Sequence, residues 1–260
     1  MSGAVKVDVA DHVATVVLDR PPVNAVDTAT LAEVRDAFAG LNEDREIRVA
    51  IFTGAGTRAF CAGADLRGMD SGDPASWPPS VVVDRGRVAR DAFWAIYDCA
   101  VPVIAAVNGP AIGAGLALAA VCDIILAADT ATFGTTEINV GLLGASAQLS
   151  LLFGRHKARE LFFTGELAPA SELYRLGAVR RVVPQAELLD AARELAHELA
   201  RKSPIALRLA KESMNRVEFL PLKEAYRTEQ DYTARLRGYE DAKEARHAYL
   251  EKRDPDWKWR

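Results

Sequence analysis

Three short segments of this 260-residue chain gather residues suited to stabilising charge on a substrate oxygen and moving a proton. The first is Ala59 to Leu66 (AFCAGADL), directly after a β-rich run and the Gly54-Ala55-Gly56 turn. The second is Ala106 to Leu118 (AVNGPAIGAGLAL), where a strand passes through glycines into a helix. The third is Phe133 to Gly144 (FGTTEINVGLLG), which places one acid, Glu137, in a neutral neighbourhood. Small residues let another molecule approach the main chain, and a helix starting near Gly113 offers unpaired N–H donors at its positive dipole end. Two such donors aimed at one oxygen make an oxyanion hole, commonly worth about 3–4 kcal/mol per donor in the transition state. The same glycines also suit tight turns and close helix–strand packing, and spacing alone leaves both readings open.

Other chemistries find less support. Gly109, Gly113 and Gly115 do not fit G-x-G-x-x-G, and no Gly-Lys-Ser/Thr follows them. Gly144-Ala145-Ser146-Ala147-Gln148 misses a nucleophile elbow by its last glycine. Cys61, Cys99 and Cys122 are widely spaced, so neither a disulfide framework nor a structural zinc site is expected, and no metal site at all. A reduced, cytoplasmic setting is the simplest inference, and the N-terminus lacks an apolar signal core. A net charge of -4 from 32 basic and 36 acidic residues lacks the footprint of a nucleic-acid binder. The stretch between Asp98 and Asp123 carries no charge, yet prolines and glycines punctuate it, so it reads as a buried strand, turn and helix rather than a membrane span.

The elements that must position these segments follow from periodicity. Residues 4–10 and 13–18 read as strands joined at Asp11-His12, 28–43 as an amphipathic helix and 48–54 as a buried strand. A strand at 101–107, a helix to 121 and a strand at 122–128 complete an α/β body. Residues 68–79, rich in Gly, Pro, Ser and Asp, read as a loop. From 186 the pattern is helical only, with Ser203 and Pro204 as cap and first turn of one helix and others near 221–237 and 240–252.

Taken together, the segments resemble the crotonase superfamily, the enoyl-CoA hydratase/isomerase family, along nearly the whole chain. The likeness includes Arg20-Pro21-Pro22-Val23-Asn24-Ala25, AFCAGADL, AVNGPAIGAG, the CDI at 122–124, FGTTEINVGLL, FTGELAPASELYRLGAVRRVVP at 163–184, SPIALRLAK at 203–211 and the terminal EKRDPDW. The resemblance implies an α/β, crotonase-type spiral of repeated ββα units at 1–185 holding the acyl-CoA site. It implies a C-terminal helical region at 186–260 that supports a homotrimer or a dimer of trimers. It also implies an acyl-CoA substrate, with coenzyme A present only as part of that thioester and no separate cofactor. By motif position, the backbone donors would be Ala64 and Ala114, Glu137 would be the catalytic acid/base, and CoA would lie along Ala62, Ala64, Asp65 and Leu66. Phosphate contacts are expected from nearby Lys and Arg, Arg20 among them.

The chain departs from the family at one position. Family hydratases hold water between two glutamates, and the earlier of these positions is Ala117 here. Asp123, six residues on, lies about 240° round a helix axis and should serve structure instead. One carboxylate suffices to move a proton along an enoyl-CoA, so double-bond isomerisation with Glu137 as single base is the expected reaction. Hydration or dehydration with water held by Glu137, and a non-catalytic acyl-CoA-binding protein, are the alternatives. Among other residues, Cys61 reads as packing, Lys211 as solvated, and His156 as surface. Trp77, Trp94 and Tyr97 are candidates for an acyl pocket, the core or a subunit contact.

Overall fold

In the computed structural model, which describes residues 3–68, 79–84 and 86–260, the chain winds as a spiral. It opens with an antiparallel hairpin, β1 (Val5–Ala10) and β2 (Val13–Leu18), in register from Val5 opposite Leu18 to Ala10 opposite Val13. Asp11 and His12 both have positive φ, the two-residue geometry whose twist matches the flanking strands. Each later winding gives one strand to a large sheet, a short extended segment to a small one, and then helix. β2 is followed by Val26 and α1 (Thr28–Leu41), whose N-cap Asp27 accepts the Thr30 N–H. β3 (Val49–Gly54) is followed by residues 61–64, α2 (Pro79–Val83) and α3 (Arg87–Tyr97). β4 (Val103–Val107) leads to β5 (Ala111–Ile112) and α4 (Ala114–Ala120). β6 (Ile124–Ala128) leads to β7 (Thr132–Gly134), α5 (Ser146–Leu152) and α6 (Arg155–Thr164).

A further pass adds β8 (Leu167–Pro169), α7 (Ala170–Leu176), β9 (Arg181–Val183) and α8 (Leu188–Ala200). The large sheet runs β1-β2-β3-β4-β6-β9, parallel from β2 onward, and the small one runs β5-β7-β8. Single parallel bridges, Cys61 to Ala111 and Val26 to Ala64, continue the small sheet backwards through earlier windings. β3 and β4 are buried along their whole length, which is why they read as unbroken apolar runs rather than alternating ones. The expected spiral of ββα units is therefore present.

The C-terminal helices divide differently from the 185/186 boundary drawn from sequence. α8 buries Leu188, Ala192, Leu195 and Ala196 against β2, β3, β4 and β6, so it belongs to the main core. A separate small core begins only with α9 (Pro204–Val217), where Ile205 and Leu209 meet Tyr232 of α10 (Leu222–Arg237). α11 (Glu240–Glu251) follows. Lys211 of α9 is not solvated: it is 5% exposed and donates to Asp123 Oδ2 at 2.7 Å and to the carbonyls of Ile96 and Val101. Asp123 also accepts the Val103 N–H, the structural role expected of it. Among the described residues no helix is long and apolar enough to cross a membrane.

Candidate active site

The entry into the Ala59–Leu66 segment is fixed by two side-chain amides. Asn24 donates to the carbonyls of Ala55 and Ala59, while Asn108 donates to Gly56 and accepts from the Gly54 N–H. Beyond Cys61 the chain bridges to Ala111 and then, through Ala64, to Val26. α4 begins directly beside it. A β-carbon on Gly115 would stand 2.1 Å from the Cys61 carbonyl oxygen, so only glycine permits this approach. A β-carbon on Gly63 would lie 4.0 Å from the Ala114 nitrogen, which places the two expected donor segments side by side. Among the described residues neither the Ala64 nor the Ala114 N–H donates a hydrogen bond, the latter because it opens a helix.

Glu137 starts a short 3-10 turn, Glu137–Val140, after β7. Its carboxylate lies over Gly113 and against Gly144, and its Oε2 is buried without a hydrogen-bond partner among the described residues. Burial pushes its carboxyl above the ordinary glutamate range, partly offset by its own N–H and that of Thr136. A carboxylate so weakly solvated is a stronger base than one in water. Ala64, Ala114 and Glu137 line one cavity of about 290 Å³, together with Ala62 and Leu66. Its remaining walls include Phe93, Val140, Leu142 and Leu143. Ala117 is on the wall too, and Glu137 is the single ionisable side chain among the described residues lining it.

Not every residue singled out from sequence faces this cavity. Asp65 does not: Arg67 and Arg20 bind its carboxyl and hold it at about 2. Arg20 is correspondingly committed to Asp65 and Asp27 rather than free for a phosphate. Cys61 is fully buried, and burial pushes its thiol up to about 12, so it packs as expected. His156 is exposed. Neither Trp94 nor Tyr97 lines the cavity, and Trp77 lies outside the described residues. Phe93 escapes the sequence reading because no helix is placed between the 68–79 loop and the strand at 101–107, so α3 has no face to assign there. The sequence shows a neutral neighbourhood around Glu137, but nothing local places Val140, Leu142 and Leu143 on the same cavity as the acid.

Residues 8–260 match the family model described as Enoyl-CoA hydratase/isomerase. The chain belongs to this family. Among its enoyl-CoA hydratase/isomerase relatives, the carnitinyl-CoA dehydratase of Escherichia coli is 38% identical over 253 residues, covering 94% of each chain. The (7aS)-7a-methyl-1,5-dioxo-2,3,5,6,7,7a-hexahydro-1H-indene-carboxyl-CoA hydrolase of Rhodococcus jostii is 38% identical over 226 residues, 87% of this chain and 86% of that one. The crystal structure of an enoyl-CoA hydratase from Bacillus anthracis superposes with a TM-score of 0.89 at 34% identity, covering 99% of this chain and 100% of that one. The crotonase fold is thus shared over the full length.

Proposed function

We propose that this protein acts on an acyl-CoA thioester, with the carbonyl oxygen held by the Ala64 and Ala114 amides and Glu137 as the single general base. CoA would run along Ala62 to Leu66, using backbone groups there, since the Asp65 side chain is turned to Arg20. The observation that carries the reading is the cavity itself: one desolvated carboxylate beside two undirected amides, with Ala117 where family hydratases have their other acid.

The reaction this arrangement supports best is isomerisation of a 3-enoyl-CoA to the conjugated 2-enoyl-CoA. The Glu137 carboxylate takes a proton from the carbon next to the thioester, and the electron pair delocalises onto the carbonyl oxygen between the two amides. The dienolate then collapses as protonated Glu137 returns the proton to the far end of the former double bond. No water enters and the carboxylate is regenerated. Preorganised donors and a positioned base each contribute here. The likeness to a carnitinyl-CoA dehydratase favours a second reading. In it, Glu137 passes the same proton to a departing 3-hydroxyl, releasing water and leaving the conjugated thioester.

One assay separates them. Ultraviolet absorbance of the conjugated thioester is followed with a 3-enoyl-CoA and, separately, a 3-hydroxyacyl-CoA, using wild type beside Glu137→Gln. Product from the 3-enoyl substrate alone supports isomerisation, and product from the hydroxy substrate alone supports dehydration. Binding of both thioesters without product, unaltered in the variant, points to an acyl-CoA-binding protein. Assembly into a homotrimer or a dimer of trimers through the C-terminal helices belongs to the same proposal and is read by light scattering.

A further inference from the structure

We propose that Arg20 is a positioning residue for the oxyanion site, its guanidinium straddling the Val26–Ala64 bridge and fixing the direction of the Ala64 N–H. This rests on the reading of Ala64 as an oxyanion donor. Ala64 sits in no regular strand. Its segment is held to Val26 by two backbone bonds, Val26 N–H to the Gly63 carbonyl and Asp65 N–H to the Val26 carbonyl, each 2.8 Å. Upstream, the Cys61–Ala111 bridge and the Ala62 N–H on the Val23 carbonyl at 3.1 Å tie the chain. The Val26 bonds are thus the last backbone restraint on the Ala64 peptide before the turn at Leu66, and a pivot of the chain there swings the Ala64 amide.

Arg20 closes the pivot from both sides. It donates to the Ala25 carbonyl at 2.7 Å and to Asp27 Oδ2 at 2.9 Å, the residues on either side of Val26. Both terminal nitrogens also donate to Asp65 Oδ2 at 3.0 Å, the residue after Ala64. One planar fork therefore grips both partners of the bridge. Its base is anchored in turn, because the Arg20 N–H donates to Asn24 Oδ1 and the Asn24 N–H donates to the Arg20 carbonyl. Arg20 and Asp65 are 27% and 12% exposed at their side chains, so water competes little for these bonds. A lysine offers a point charge rather than a fork and cannot hold three acceptors in this plane.

The test binds para-dimethylaminocinnamoyl-CoA to wild type, Arg20→Lys, Arg20→Met and Asp65→Asn. The red shift of the bound chromophore reports polarisation of the thioester carbonyl, a signal that loss of stability alone does not move. Arg20→Lys and Asp65→Asn should keep the thioester Kd within about threefold of wild type while losing most of the red shift. Turnover of the substrate identified by the assay above should fall about ten- to a hundredfold in kcat, the scale expected for a misaimed group. Melting temperatures identify a variant that fails to fold. Arg20→Met is the one at risk, and the two milder variants then carry the test. Full red shift and kcat in both milder variants would overturn the positioning role. Binding to wild type with no red shift would instead overturn the oxyanion reading, and the positioning role with it.

Discussion

Glu137 folds over Gly113 so closely that a β-carbon on Gly113 would stand 2.0 Å from Glu137 Oε1. The glycine that starts the α4 donor helix is thereby also the floor under the base. Gly113→Ala should strain a backbone at φ 55 by about 1–3 kcal/mol and displace the carboxylate, cutting turnover by about a hundredfold or more. Gly141→Ala is the comparison. Its φ is 72, but a β-carbon there meets nothing within 4 Å, so stability should fall while turnover is kept. Calorimetry beside the absorbance assay reads both.

Replacing the base isostericly separates chemistry from binding. Glu137→Gln should lower kcat by about 10²–10⁴ with little change in Kd for a saturated acyl-CoA. Equal loss in both would show that Glu137 holds substrate rather than moving a proton.

The desolvated carboxylate also fixes two pH dependences. Because Glu137 must be ionised to accept a proton, kcat/KM should rise through a limb centred above the ordinary glutamate value of 4.5 and then level off. A limb at or below that value would count against Glu137 as base. For stability the sign is the reverse. The folded state binds this proton more tightly than the unfolded one, so ionised Glu137 weakens the fold as pH rises. Glu137→Gln should therefore melt above wild type at neutral pH, and the gap should close as pH drops below the ordinary glutamate range.

Ala117 offers a gain-of-function experiment. Ala117→Glu puts a second carboxylate on the cavity wall, and like charges at close range oppose each other's ionisation. The acid limb should move further upward, and the ratio of hydration to isomerisation should increase. Unchanged pH dependence would mean that the new side chain points away from Glu137.

The buried Lys211 makes a prediction about stability alone. Lys211→Met strips Asp123 of its cation and leaves the Ile96 and Val101 carbonyls without that donor. The cost should be about 2–3 kcal/mol, at the low end for a buried pair because Asp123 retains 28% exposure. Denaturant unfolding measures it, and turnover per folded molecule should be unaffected because Lys211 does not line the Glu137 cavity.

The two- and three-residue strands β5, β7, β8 and β9 and the Asp27 cap are not legible in the sequence alone, whereas five strands of the large sheet, the helix cap at Ser203, the two small-residue segments and the lone acid at 137 are. These are local signals: a period of two or 3.6, a proline, a glycine, or a motif read along the chain. The tertiary structure decided which charged side chains have partners and which face the cavity. Arg20 meets Asp65 across 45 residues and Lys211 meets Asp123 across 88, distances over which sequence spacing carries no geometric information. For the same reason α8 read as one more C-terminal helix, when its alanine-rich face in fact completes the main core. Amphipathic periodicity says that a face will be buried, whereas the surface it is buried against is set by how the windings of the spiral stack.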